Sequence, residues 1–175
     1  MEKAEQMMTR LEKRVGDSQT GRQRLIAIYV GLASDLEQQI SLAPVQSRPA
    51  LSKGFEAFLL RVVSRSSDVK ILRWSAEMFY RLGKGNDAGH GQAAGDASQY
   101  YQRALTTYDK ILQLEDVQGD ANLDNHLRIR KATIHRRTGE FETAMKLFEE
   151  FLTSHNAMIT IQVEAALTLQ EWGDA

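Results

Sequence analysis

The four imidazoles of this chain are His90, His126, His135 and His155, and it has no cysteine. A metal pair carried on one helix needs ligands at i and i+4. His126 and His135 are nine residues apart, and His90 sits in a glycine-rich stretch. The histidines therefore read as solvated or capping side chains, and neither metal nor cofactor is expected. The acidic pairs Glu149/Glu150 and Asp35/Glu37 fall on faces that read as solvent-exposed, whereas a general acid or base needs a desolvated carboxyl group in a pocket. Ser64, Ser66 and Ser67 have no nucleophile-elbow context. Met78 and Met145 lie on apolar stripes and read as packing. The stretch 84–96 has glycines that could cradle a phosphate ahead of a helix. It follows a helix, not a strand, and lacks both phosphate-loop spacings, so it reads as a surface insertion. No enzyme activity is expected.

Length and composition set the outer limits. The chain has 175 residues, 42% hydrophobic and 26% charged, with a net charge of −1 from 22 basic and 23 acidic residues. That composition is globular, and the balance of charge disfavours nucleic acid as a partner. No apolar run approaches the ~20 residues of a membrane helix, and the first residues carry no export signal. Localisation stays open, with the cytoplasm as default.

The residues must be positioned by helices. Only two prolines occur, Pro44 and Pro49, and they bracket one connector. Leu25, Ile28, Tyr29, Leu32, Leu36 and Ile40 recur at three and four, as do Leu51, Phe55, Phe58, Leu59 and Val62. Pro49 suits a first helical turn, and Asp96 with Gln99 forms a capping-box pattern. The pattern predicts an all-α chain with helices over 2–15, 22–41, 50–65, 68–82, 97–114, 123–138, 140–154 and 157–172.

Self-similarity then appears. Gly139 and Gly173 are 34 residues apart, and so are Ala132 and Ala166. Ala132, Gly139, Phe141, Ala144 and Phe148 follow one another as small, turn, aromatic, small and aromatic residues. Ala76, Phe79 and Gly83 stand at matching places earlier. The triplets Leu51/Gly54/Phe58, Tyr101/Ala104/Tyr108 and Phe141/Ala144/Phe148 share one spacing, and Phe58 to Ala76 and Phe148 to Ala166 are both steps of 18. Over about residues 50–175 the chain resembles the tetratricopeptide-repeat (TPR) family. It departs from that pattern at Arg128, Lys131 and His135, at Phe151, and at Asn156. The resemblance implies antiparallel helical hairpins stacked as a right-handed solenoid over 49–175. Residues 1–48 are expected to form N-terminal helices packing on the array. The seam Ala4, Met8, Leu11 and Val15 is expected to pack on the second helix, with pairing to another chain as the alternative.

On a helical wheel His126, Arg130, Thr133 and Arg137 lie within about a 60° arc. The resemblance implies that these positions line a concave groove, with Lys70, Arg73, Trp74, Glu77, Tyr80 and Arg81 from the preceding repeat. It adds Thr160, Val163, Glu164, Leu167 and Gln170 from the following one. Arginine heads beside Trp and Tyr faces suit an extended acidic peptide with an apolar anchor. The chaperone-tail clamp of the family is not expected, because Glu77 and Thr133 stand where it uses asparagine.

The leading expectation is a non-catalytic scaffold for protein–protein interaction, binding an extended peptide or a partner helix in the concave groove. The alternative is a regulatory or substrate-holding domain of a larger enzyme. RNA contact through Arg128, Arg130, Lys131, Arg136 and Arg137 ranks third, since a phosphate track needs a continuous positive surface. Because Trp172 and Gly173 resemble the family's turn between helices, the chain is expected to be a piece of a longer array. Ile161, Ala165, Leu169 and Trp172 are then expected to be partly uncovered, allowing self-association through the last helix.

Overall fold

The structure is a computed structural model, and it describes residues 19–44, 46–87, 95–114, 117, 120–154 and 159–175, with Arg10 and Arg14. Among the described residues the chain is all-α: α1 (Gln19–Leu42), α2 (Arg48–Arg65), α3 (Val69–Asn86), α4 (Asp96–Leu112), α5 (Ala121–Arg137), α6 (Phe141–Ser154) and α7 (Ile159–Gly173). Each covers an expected helix. The helix expected over 2–15, its seam, and most of the glycine-rich stretch with His90 lie outside the described residues, as do His155 and Asn156.

Two compact units divide the chain, residues 1–61 and 62–175. In the first, Tyr29 of α1 meets Phe58 of α2 edge to face, with centroids 5.9 Å apart, and Phe55 stacks on Phe58 at 6.3 Å. The connector closes through Ser47 N to Pro44 O and through Arg48 Nε to Ala43 O. Pro49 follows in the first turn of α2, where its missing N–H leaves no intrahelical bond unmade. The expected triplet Leu51/Gly54/Phe58 is only half-buried; the deeper stripe is Ser52, Phe55 and Leu59, one register along. Phe58 borders that stripe and covers Tyr29.

In the second unit α3 opens on Asp68, whose carboxylate accepts from Lys70 N at 2.8 Å and Ile71 N at 3.2 Å. The Lys110 ammonium on α4 donates to the Val63 and Ser66 carbonyls and satisfies the C-terminal end of α2. Ala76, Phe79, Tyr101, Ala104, Tyr108 and Ile111 are fully buried where α3 packs on α4. Two expectations are corrected here. Gly83 does not end its helix, which continues to Asn86, because the glycine instead makes room for the Tyr101 ring. Asp96 caps nothing; it stands in the first turn of α4 behind Gly95, whose φ of 57° needs glycine.

α5 starts at Asp120, whose carboxylate accepts from Leu123 N. It ends as expected at Gly139, where φ is 79° and Glu140 N returns to His135 O at 2.8 Å. That six-to-one bond is the Schellman closure, and it turns the chain into α6. Gly173, its partner at the 34-residue period, does not adopt positive φ. Ala132, Ala144, Phe148, Phe151, Ile161 and Ala165 form one core shared by α5, α6 and α7. Of the stripe expected to be partly uncovered, Ile161 and Ala165 are buried, and Phe151 fills the space beside them. Leu169 and Trp172 are exposed as expected, although Trp172 lies parallel to the Phe141 ring at 6.4 Å.

Candidate functional site

Glu77 is the only acid on α3, in a helix that carries Lys70, Arg73, Arg81 and Lys84. At 100° per residue these side chains share one face. The Glu77 carboxylate accepts from Arg130 Nε on α5 at 3.0 Å through Oε1 and from Arg130 Nη2 at 3.1 Å through Oε2. This is the parallel fork by which guanidinium grips carboxylate. The Tyr108 hydroxyl of α4 donates to the same Oε1 at 2.8 Å, and His126 Nε2 stands 3.9 Å away. Arg130 also lies over the Tyr80 ring, with Cζ 4.7 Å from its centroid, a cation–π arrangement. The cluster is open on one side: the side chains of Glu77, Arg130 and His126 are 21%, 33% and 43% exposed.

The electrostatics follow from that packing. Burial, then the neighbouring Glu77 charge and its hydrogen bond, push the Tyr108 phenol well above its ordinary range. Burial opposes the Arg130 charge, but the Glu77 hydrogen bond and charge outweigh it and raise its pKa. Burial and then the Arg73 and Arg130 charges hold His126 below its ordinary 6.5, against the pull of Glu77. His126 is thus set up as a neutral ring beside a formed ion pair.

The expected groove residues are partly brought together. Glu77, Tyr80, His126 and Arg130 meet as one cluster, and Arg73 is near enough to act on His126. Lys70 and Arg81 are exposed on α3, and Trp74 is half-buried. Thr133 is buried, and its hydroxyl donates to the Ile129 carbonyl of its own helix, so it does not line the surface. Arg137 is half-buried with its Nε enclosed, and its charge reaches the Tyr101 phenol. Leu167 is exposed on α7 beside Val163 and Ile159. Tyr108 enters the sequence reading only through the Tyr101/Ala104/Tyr108 triplet; its hydroxyl is the available signal, since a buried phenol needs a partner where Phe148 at the matching place does not.

Arg128, Arg130, Lys131 and Arg136, four of the five cations that could have followed a phosphate backbone, pair with acids. Arg128 pairs with Asp124 at 2.7 Å, Lys131 with Asp109, and Arg130 with Glu77. Arg136, expected at the surface, is buried instead: its side chain is 4% exposed, and its fork reaches Glu164 and Glu171 of α7, each at 2.8 Å. Among the described residues no group of three or more His, Asp or Glu side chains could hold a metal ion. No described helix is long and apolar enough to cross a membrane. No family model, no curated protein sequence and no solved structure matches this chain.

Proposed function

We propose that the chain is a non-catalytic scaffold, a right-handed TPR-like stack of helical hairpins, whose α3/α5 face holds an extended acidic peptide with an apolar anchor. Three packing features support the stack. Helices α3 to α7 contact their chain neighbours, and α5 contacts α7 as well as α6. Small residues, Ala76, Ala104, Ala132 and Ala144, are fully buried where those helices approach. A Schellman turn joins α5 to α6 across three residues, which favours antiparallel neighbours.

The observation that carries the ligand is the composition of the face. Exposed Lys70 and Arg73 stand on α3 with half-buried Trp74 on the same helix, and Arg130 rests on Tyr80. Cations beside aromatic rings are the chemistry that holds carboxylates and anchors an apolar side chain.

The test is a titration of isotope-labelled protein with a glutamate-rich peptide of about eight residues ending in phenylalanine, which can span ~26 Å. The expected amide shifts concentrate on α3 and α5, with the Trp74 indole moving at the same peptide concentration. Shifts confined to the outer side of α6, or none at millimolar peptide, would remove the acidic-peptide reading.

A further inference from the structure

Resting on that reading, we propose that Arg130, laid on the Tyr80 ring, is the primary carboxylate seat of the face. Glu77 is its built-in occupant, which an acidic side chain of the partner displaces.

The geometry of the seat is that of a ligand site already filled. The guanidinium presents Nε and Nη2 as a fork, and both prongs are taken by one carboxylate at 3.0 and 3.1 Å. Its flat face is covered by Tyr80, which fixes the plane of the fork. Tyr108, on a third helix, adds a donor to the same carboxylate oxygen at 2.8 Å. Three donors from two helices therefore converge on one acceptor that arrives on α3. Any carboxylate in that position would receive the same bonds. The occupant is also the odd residue of its surroundings: every other charged side chain of α3 is basic. Removing the Glu77 charge would leave Lys70, Arg73, Arg81 and Lys84 in continuity with Arg130. The seat is reachable, since a third of the Arg130 side chain is open to solvent.

The energetics favour exchange over permanent closure. The pair keeps a fifth to a third of its side-chain surface in water, so its net gain over the solvated parts is smaller than that of a fully buried pair. An incoming carboxylate need only match the bonds of Glu77 while the freed Glu77 regains water. A partner therefore pays a conformational tax, and its apparent affinity falls by the fraction of chains in which Glu77 is displaced. In this arrangement the wild-type face rejects isolated carboxylates and admits a peptide whose other residues supply the remaining binding energy.

The experiment measures fluorescence anisotropy of a labelled glutamate-rich peptide ending in phenylalanine at low salt, against a glutamine-rich counterpart. Glu77→Gln should bind the acidic peptide about tenfold more tightly than wild type. Tyr108→Phe, which keeps the ring volume, removes the same bond from Glu77 and from the carboxylate that replaces it, and should leave affinity within about twofold. Adding Arg130→Gln to Glu77→Gln should abolish the gain. Glu149→Gln, on the exposed side of α6, makes the same change of net charge and should leave affinity within about twofold. Binding by wild type with no gain in Glu77→Gln would overturn the seat while sparing the wider face. An equal gain in Glu77→Gln and Glu149→Gln would overturn it as a general charge effect. No binding by any of these chains would sink the acidic-peptide reading and the seat together. Should Glu77→Gln lose its helical circular dichroism, Arg130→Lys decides: it keeps the charge and removes the fork, so acidic-peptide binding should weaken, and unchanged affinity would overturn the seat.

Discussion

Gly83 and Tyr101 share a space that admits no further carbon: a Cβ on residue 83 would lie 2.6 Å from Tyr101 Cδ1 and 2.7 Å from Cε1. The ring has no easy retreat. It is fully buried, its hydroxyl donates to Asp87 at 2.9 Å, and Tyr80 packs against it with centroids 5.9 Å apart. An interior helical glycine ordinarily costs about 1 kcal/mol relative to alanine, so the substitution would be stabilising if space allowed. Overpacking of a fixed ring costs about 1–3 kcal/mol and should win. Gly83→Ala is therefore expected to lower stability by up to about 2 kcal/mol net, read by urea denaturation. A more stable Gly83→Ala chain would mean that the ring moves aside freely.

That contact also marks where the sequence was legible and where it was not. Apolar residues at three and four define one face of a helix directly, so the described helices were visible in the pattern. Gly83 looked like a stop because glycine commonly ends helices, yet here the missing side chain serves a ring 18 residues away. The same limit governs the site. Wheel angle placed His126, Arg130 and Thr133 on one side of α5, but angle alone does not separate Thr133, which is buried, from its half-exposed neighbours. Local spacing could suggest the Asp124–Arg128 pair at i and i+4. The Glu77–Arg130 fork spans 53 residues and the Arg136–Glu164 bond 28, and such pairings exist only once the helices pack.

Arg136 gives the second prediction. Its buried guanidinium bridges Glu164 and Glu171, seven residues apart on α7, while Arg136 Nε and Glu171 Oε2 are enclosed without partners. Removing one member of a buried ion network leaves uncompensated charge, a loss of about 3–5 kcal/mol. Glu164 keeps a quarter of its side chain in water, so the lower end, about 3 kcal/mol, is expected for Arg136→Met. The loss should be local: hydrogen exchange should quicken through α7 and stay unchanged at Tyr101 and Ala104. Neutralising Glu164 and Glu171 together in the Arg136→Met background should restore most of the stability. Unchanged melting in Arg136→Met would show that α7 is held by Phe148, Phe151 and Ile161 alone.

The final prediction concerns acid. Burial and then the Arg73 charge hold the folded pKa of His126 below 6.5, with Arg130 acting the same way and Glu77 opposing. The unfolded chain, with His126 near 6.5, therefore takes up its proton first as pH falls. Stability should rise with pH through this interval, because the unfolded state binds more protons there. Going down in pH, the loss attributable to His126 begins near 6.5 and levels off below its folded value. His126→Gln should flatten the wild-type curve in that window and leave it parallel above pH 7.5. Arg73→Gln should bring the His126 titration back up, since it removes the largest charge that opposes protonation. Proton NMR of the imidazole follows both effects directly. A ring that titrates at or above 6.5, or that ignores Arg73→Gln, would contradict the placement of His126 between these charges.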